Sequence, residues 1–561
     1  MPAWLKHYRR DLLAGDLGAG VIVALMLIPQ GMAYAIVAGL PPVAGLYASI
    51  LPAVAYAMFG SSMVQSIGPA AITALMVASA LAGLAPAGSA LYATLAAQMA
   101  LMAGAVLFLS GLFRLGFLSS FLSRPVMSGF TTGAALLIAE GQLAPLLGVG
   151  SLASVTTAGS PGAAIGLGSL LALWLAKTWL ARLLAKAGMR RSWADIVARL
   201  APVFVLGMAA VAVVYLGWTG GEVRTVGSVP AGLPDIALVT SADHWRALLT
   251  PSLLIAFMIF LTSQSAAQAL AQRRGERIDT NSELLGLGAA NLATAVSGGF
   301  VVSGSISRSA VNYDAGANTP LASVFSAGLL LLALVAPTGW LSFLPMPALA
   351  ATIIVAVMGM VDLVTLKQAW SYDRGDAGAL LATMAGVLLL GVEAGVVVGV
   401  VLSLATLLWR SSRPHIAVIG KIPGSEHFRN VQRHQVETLP GVLLLRIDAG
   451  LFFGNIDAVI DRLNKLLGER QQRGETMRHV VLVMSGVNLV DMTGLYALNE
   501  LNNSLKQQGI TLNLSEVTGP VMDRLQRSGL LRHKLTGEVY LSTAQAYREL
   551  GALTSVLPSA T

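Results

Sequence analysis

The residues best placed to do chemistry lie in Phe300-Val-Val-Ser-Gly-Ser-Ile-Ser-Arg-Ser-Ala-Val-Asn312, between two long apolar stretches. Arg308 supplies a fixed cation, Ser305 and Ser307 supply hydroxyl donors, and a helix starting here would leave its first N–H groups unpaired, with an end charge of about +0.5. Together these groups suit reversible capture of an anion. A second broken segment, Ser66-Ile67-Gly68-Pro69-Ala70-Ala71, carries proline where a first helical turn tolerates it, because that N–H would be unpaired in any case. It predicts a second helix N-terminus. If the fold brings the two starts together, they form a positive cradle whose one side-chain cation is Arg308.

The rest of the chain must hold these segments in an unusual solvent. Of 561 residues, 55% are hydrophobic and 11% charged, with mean hydropathy +0.71, whereas a soluble globular chain carries about 25% charged residues. Runs such as 17–37, 90–113, 160–181, 321–336 and 377–409 are long enough for a hydrocarbon core of about 30 Å, which takes roughly 20 helical residues. They predict a polytopic α-helical membrane protein. Segments of about 10 residues with period-two alternation, the mark of a β-barrel, are absent. The 59 glycines suit close helix packing and unwound membrane segments. No cysteine is present, so disulfides and thiolate metal sites are excluded, and the 7 histidines show no ligand spacing, so no metal or other cofactor is expected.

In lipid, an irregular Ser/Gly segment must be buried in protein or line a wet cavity. A surface loop with Arg308 snorkelling to headgroups is the alternative, but apolar spans lie only a few residues away on both sides. An arginine near the bilayer centre costs roughly 2.5–3.5 kcal/mol even on the lenient insertion scale, and a bound anion would offset that cost.

Fourteen spans are predicted, at 15–38, 42–60, 68–84, 90–114, 125–147, 160–186, 198–217, 249–272, 284–298, 305–317, 320–338, 346–363, 377–391 and 393–411. Those at 68–84, 284–298 and 305–317 are too short or too broken to cross alone as regular helices. Gly68-Pro69 and Gly304-Ser305 stand 236 residues apart, and the spans starting near 15 and 249 stand 234 apart. That offset reads as two seven-span halves of inverted topology. With a cytoplasmic start, the inside loops receive nearly all the basic residues (Lys6, Arg9, Arg10, Arg190 and Arg273 among them), and the outside loops only Arg224 and Arg246. Both termini are therefore expected in the cytoplasm of a cytoplasmic-membrane protein, and the net charge of +8 reads as a topology signal, not as a nucleic-acid surface. Basic residues ahead of an apolar run and Ala33-Tyr34-Ala35 imitate a cleavable signal. The run continues past Pro29-Gln30-Gly31 into further spans, as an uncleaved first helix would.

After Arg413-Pro414 the composition changes abruptly, dividing a transport domain, 1–413, from a soluble domain, 414–561. Strands are expected at 441–447, 479–485, 510–514 and 538–541, with helices at 456–467 and 494–508, the second carrying the stripe Leu495, Leu498, Leu501 and Leu505. This alternation predicts a small α/β domain.

Leu27-Ile-Pro-Gln-Gly-Met-Ala-Tyr-Ala35, Ala38-Gly-Leu-Pro-Pro42, Gly45-Leu-Tyr47, Gly68-Pro69 and Gly304-Ser-Ile-Ser-Arg-Ser-Ala-Val-Asn312, in that order, resemble the SulP (sulfate permease) family of anion transporters. Asn281-Ser-Glu-Leu284 looks like that family's link into its ninth helix, and 414–555 looks like its C-terminal STAS domain. The resemblance implies a seven-plus-seven inverted-repeat fold shared with uracil permeases, with a core (spans 1–4 and 8–11) and a gate (spans 5–7 and 12–14). It implies elevator-type transport of sulfate, bicarbonate, chloride or a dicarboxylate, and a homodimer. By motif, the site comprises Gln30, Tyr34, Gly68, Pro69, Ala70, Ser305, Ile306, Ser307 and Arg308. Gln264 stands in it where many relatives carry a carboxylate, and since an amide does not titrate, the coupling ion, H⁺ or Na⁺, stays open. Glu140 offers either a substitute proton carrier or a polar contact near the outer end of span 5, and Glu393 reads as a turn residue between spans 13 and 14. Around Ser485-Gly-Val-Asn-Leu-Val-Asp-Met-Thr-Gly494 the soluble domain resembles anti-sigma-factor antagonists, with Thr493 as a helix cap or a regulatory phosphorylation site. A nucleobase permease of the same fold and a membrane-anchored STAS signalling protein are the alternative functions. Neither the fold nor the motifs imply an enzyme.

Overall fold

The computed structural model describes residues 3–6, 8–117, 123–149, 160–218, 222–227, 230, 232, 244–335 and 338–555. By its internal contacts the chain divides into two compact units, Met1–Ser403 and Leu404–Thr561, so the division falls ten residues before the composition changes, inside the last long helix.

Among the described residues, the regular structure of the first unit is helical apart from one pair of two-residue strands. Its elements run α1 (Leu13–Val37), α2 (Pro42–Tyr47), α3 (Leu51–Phe59), β1 (Ile67–Gly68), α4 (Ala71–Leu81), α5 (Ala90–Leu112), α6 (Arg124–Gly141), α7 (Pro161–Leu175), α8 (Arg191–Arg199) and α9 (Ala201–Tyr215). They continue with α10 (Trp245–Arg274), α11 (Thr280–Val296), β2 (Ser303–Gly304), α12 (Ile306–Asp314), α13 (Leu321–Val335), α14 (Met346–Met358), α15 (Leu363–Tyr372), α16 (Arg374–Leu390) and α17 (Val392–Ser412). Among the described residues, 7 helical stretches are long and apolar enough to cross a membrane, or 8 if the pair bent by 47° at Leu200 counts as one.

The breaks follow local chemistry. Pro52 sits in the first turn of α3, where its missing N–H costs nothing, and the predicted span at 42–60 divides there into α2 and α3. The predicted span at 346–363 ends at Met358, and Asp362 starts α15 by accepting from the Thr365 amide at 2.9 Å. Glu393 lies in the first turn of α17, not in a turn between helices.

The segment at 284–298, expected to be too short or too broken to cross alone, is unbroken but short. It is one continuous helix of 17 residues beginning at Thr280. Asp279 caps it, accepting from the Asn281 and Ser282 amides at 3.2 and 3.3 Å. Its first turn is polar, which hid the start from a reading based on hydropathy. α11 packs against α5, α3 and α10, and Leu284, Leu287 and Ala290 join the main apolar core of the unit.

The second unit contains β3 (Ile416–Lys421), β4 (Phe428–Asn430), β5 (Val442–Ile447), α18 (Ile456–Gln472), β6 (His479–Val483), α19 (Met492–Gln507), β7 (Thr511–Ser515), α20 (Gly519–Arg527), β8 (Val539–Tyr540) and α21 (Thr543–Ser555). The sheet order is β4-β3-β5-β6-β7-β8. β5 to β8 pair in parallel and β3 pairs antiparallel with both neighbours. β3 and β4 lie outside the strands expected from sequence. The Leu498, Leu501 and Leu505 stripe of α19 is buried in the core of this unit. Thr493 is not the cap of α19: Asp491 is, accepting from the Gly494 amide at 2.7 Å through Oδ1 and from the Phe453 amide at 2.9 Å through Oδ2. Thr493 stands exposed in the first turn.

Candidate functional site

The two broken segments meet. β1 and β2 pair antiparallel, Ile67 opposite Gly304 and Gly68 opposite Ser303, and α4 and α12 begin within three residues of the pair. Antiparallel pairing sends the two helices away in opposite directions and leaves their N-termini side by side. The Ser305 amide donates to Ser66 O at 3.3 Å, and the Ser66 amide donates to Ser309 Oγ at 2.9 Å, so the pairing extends past the two-residue strands.

Arg308 lies across this junction. It is 1% exposed, and its Nη1 donates to Pro69 O, at the entrance to α4, at 2.8 Å. Its Nε and Nη2 are buried without a hydrogen-bond partner. Buried donors are normally paired, and an orphaned charged group costs more than a neutral one. Tyr34 acts electrostatically on Arg308 but is a neutral phenol at neutral pH. The N-terminus of α4, after Ala70, has no side-chain cap, so its first amides remain available. At α12, Ser305 Oγ is near the Arg308 amide at 3.5 Å and contacts Ser307 Oγ at 3.2 Å. Ile306 and Ser307 are exposed.

Glycine leaves room at two positions. A Cβ on Gly304 would fall on the Gln65 side-chain amide, and one on Gly68 would meet Arg308 Nη2 and Leu27 Cδ2, each at 3.3 Å. Leu27 precedes Tyr34 by seven residues, two helical turns along α1, and Tyr34 is buried while Gln30 is half-buried on the same helix.

Of the other expected residues, Gln264 is engaged at one end only: its Nε2 donates to Thr280 Oγ1 at 3.0 Å, and its Oε1 is buried without a hydrogen-bond partner. Its neighbour Ser263 bonds the cradle, with Oγ accepting from the Gly304 amide at 2.8 Å, as a shift of about 100° per helical residue allows. Glu140 is exposed in the last turn of α6.

Sequence reasoning missed the residues that hold the irregular backbone. Gln65 Nε2 donates to Ser263 O at 2.8 Å. Asn291 clamps Val302 from both sides, accepting from its amide at 2.9 Å and donating to its carbonyl at 3.0 Å. Asn312 Nδ2 donates to Val64 O at 2.9 Å. Each is a buried side-chain amide directly after an apolar residue. That pattern was the available signal, and the chain repeats it in too many places for it to single these out.

Residues 13–383 match the sulfate permease family, and residues 433–546 match the STAS domain. The chain belongs to the sulfate permease family. It is 37% identical over 540 residues to "Probable sulfate transporter MT1781" of Mycobacterium tuberculosis (strain CDC 1551 / Oshkosh), covering 94% of this chain and 93% of that protein. It is 35% identical to "Probable sulfate transporter 4.2" of Arabidopsis thaliana, covering 94% of this chain and 80% of that protein. Among solved structures, SLC26A9 superposes with TM-score 0.86 at 21% identity, over 98% of this chain and 92% of that one. The transmembrane domain of the cyanobacterial bicarbonate transporter BicA superposes with TM-score 0.59 at 22% identity, over 69% of this chain and 98% of that one. These likenesses give this sulfate permease family member its fold: a helical membrane unit followed by a STAS domain.

Proposed function

We propose that this protein is a secondary transporter of small anions, sulfate first among them, and that the anion binds between the N-termini of α4 and α12. The observation that carries this reading is Arg308, buried with its Nε and Nη2 unpartnered. An ionised guanidinium in that state is destabilising by several kcal/mol; an anion accepting from it, from the uncapped amides of α4 and from Ser305 or Ser307 would remove the penalty. The relatives named as sulfate transporters favour sulfate within this class. Gln30 and Tyr34 of α1 would line the same space, with Gly68, Pro69, Ala70 and Ile306 supplying backbone. Bicarbonate, chloride and dicarboxylates offer the same acceptor chemistry.

In this reading the membrane unit crosses the bilayer fourteen times as two inverted halves, the shorter helices α4 and α12 reaching only to mid-membrane. Spans 1–4 and 8–11 carry the anion past spans 5–7 and 12–14 in an elevator movement. Both termini lie in the cytoplasm, and two copies form the working dimer. A half-helix pair is a midplane site of the kind that inverted repeats create.

The test is uptake by purified protein in sealed vesicles, offering radiolabelled sulfate, bicarbonate, chloride, fumarate and uracil. Arg308→Ala is expected to lower anion uptake by about tenfold or more, equivalent to about 1.4 kcal/mol of lost binding, and Ser307→Ala to lower it less. Unchanged anion uptake in Arg308→Ala, or uptake of uracil alone, overturns the site.

A further inference from the structure

Glu283, the fourth residue of α11, is 0% exposed, and the transport reading gives it no role. Among the described residues no cation pairs with it. The facing helix α5 contains no charged residue, and α3 presents only Tyr56. At the end of α10, Arg274 pairs with Glu276 and donates to Ala317 O and Asn318 O. Arg114, in the turn after α5, acts on Asp279, which is itself engaged with Asn281 and Ser282.

The hydrogen bonds around Glu283 leave room for one more proton. Oε1 accepts from the Ser61 amide at 2.9 Å, Ser61 Oγ at 2.8 Å and the Ser62 amide at 2.9 Å. Tyr56 Oη lies 2.7 Å from Oε2, 2.9 Å from Oε1 and also 2.7 Å from Gln65 Oε1. The Gln65 amide is oriented by its other end, where Nε2 donates to Ser263 O at 2.8 Å, so an oxygen faces Tyr56. A phenol has one proton to donate. With Glu283 ionised, one of the two 2.7 Å oxygen pairs would hold no hydrogen. A proton on Glu283 Oε2 resolves this: Oε2–H donates to Tyr56 Oη, and the Tyr56 proton goes to Gln65 Oε1. Burial without a cation favours the same neutral form.

The chain of bonds continues into the cradle. Ser263 Oγ accepts from the Gly304 amide at 2.8 Å, and the Gln65 amide occupies the space a Gly304 side chain would need. We propose that Glu283 is the proton-binding site of this transporter, linked to the anion cradle through Tyr56, Gln65 and Ser263. The inference rests on the anion reading above. When Glu283 Oε2 releases its proton to water reached past half-buried Ser61, the carboxylate takes the Tyr56 O–H. Gln65 Oε1 then loses its donor, and the amide wedged beside Gly304 is loosened. Anion binding and protonation favour each other, by the same factor in both directions.

The test uses the full-length protein in vesicles with radiolabelled sulfate. Glu283→Gln keeps a neutral group that can donate to Tyr56, and Tyr56→Phe removes the relay without adding bulk. Sulfate accumulation driven by an imposed pH gradient is expected to fall about fivefold or more in both variants, within the usual range of coupling between sites. Sulfate counterflow at equal pH is expected to persist. Infrared spectroscopy reads the proton directly: the wild-type protein should show a protonated carboxyl C=O band that Glu283→Gln removes and Tyr56→Phe shifts. Gradient-driven uptake with unaltered pH dependence in either variant overturns the proposal, as does absence of that band. If wild-type vesicles show no sulfate counterflow, the anion reading has failed instead, and the infrared band still decides whether Glu283 holds a proton.

Discussion

At the scale of the residue, the site depends on atoms that are missing as much as on atoms that are present. Gly304 has no Cβ because the Gln65 amide occupies that space, and Gly68 has none because Arg308 Nη2 approaches to within contact. Gly304→Ala forces Gln65 off its bonds to Tyr56 and Ser263 and is expected to destabilise the protein by about 1–3 kcal/mol, the usual cost of overpacking. Thermal unfolding of the detergent-solubilised protein would show it, together with loss of sulfate uptake. Replacing Gln65 by alanine in the same chain should recover part of the stability, because the two changes share one contact and are not additive. Gly68→Ala meets its neighbours at 3.3 Å, so it should perturb stability less and anion affinity more.

At the scale of the element, short helices are set by their ends. α12 has 9 residues, too few to persist in isolation. It is held by Ser305 at its start and by Ser309 and Asn312, which bond back to Ser66 and Val64. In the STAS domain the same rule identifies Asp491 as the residue that starts α19. Asp491→Ala should lower stability by about 1 kcal/mol, as loss of a cap does, whereas Thr493→Ala should stay within about 0.5 kcal/mol, as exposed substitutions do. Chemical denaturation of the full chain, followed by a probe in the STAS domain, would separate the two. Equal effects would return the capping role to Thr493.

At the scale of the molecule, each unit has a core of its own: the main apolar cluster lies within Met1–Ser403, and the clusters around the sheet lie within Leu404–Thr561. A chain lacking 414–561 is therefore expected to insert, fold and take up sulfate with the same dependence on Arg308. Vesicle uptake by the truncated protein measures this. A folded membrane unit without transport would make the STAS domain the working part.

The sequence by itself determined that the chain is a helical membrane protein, since apolar runs in lipid must be helical, and that a small α/β domain follows Arg413-Pro414. It also marked Gly68-Pro69 and Gly304 to Arg308 as places where helices start, since serine, glycine, proline and arginine between apolar runs are costly in lipid unless backbone or charge needs them. Tertiary structure alone decided that the two starts touch through a strand pair, because Gly68 and Gly304 are 236 residues apart and no local propensity spans that distance. It decided that Ser263 bonds the Gly304 amide while Gln264 bonds Thr280, since one residue along a helix turns a side chain by about 100° and hydropathy does not fix the starting angle. It also decided that Glu283 is buried among hydroxyls and amides instead of facing water. Its partners Tyr56, Ser61 and Ser62 come from the other half of the membrane unit, and only packing brings them within hydrogen-bond reach.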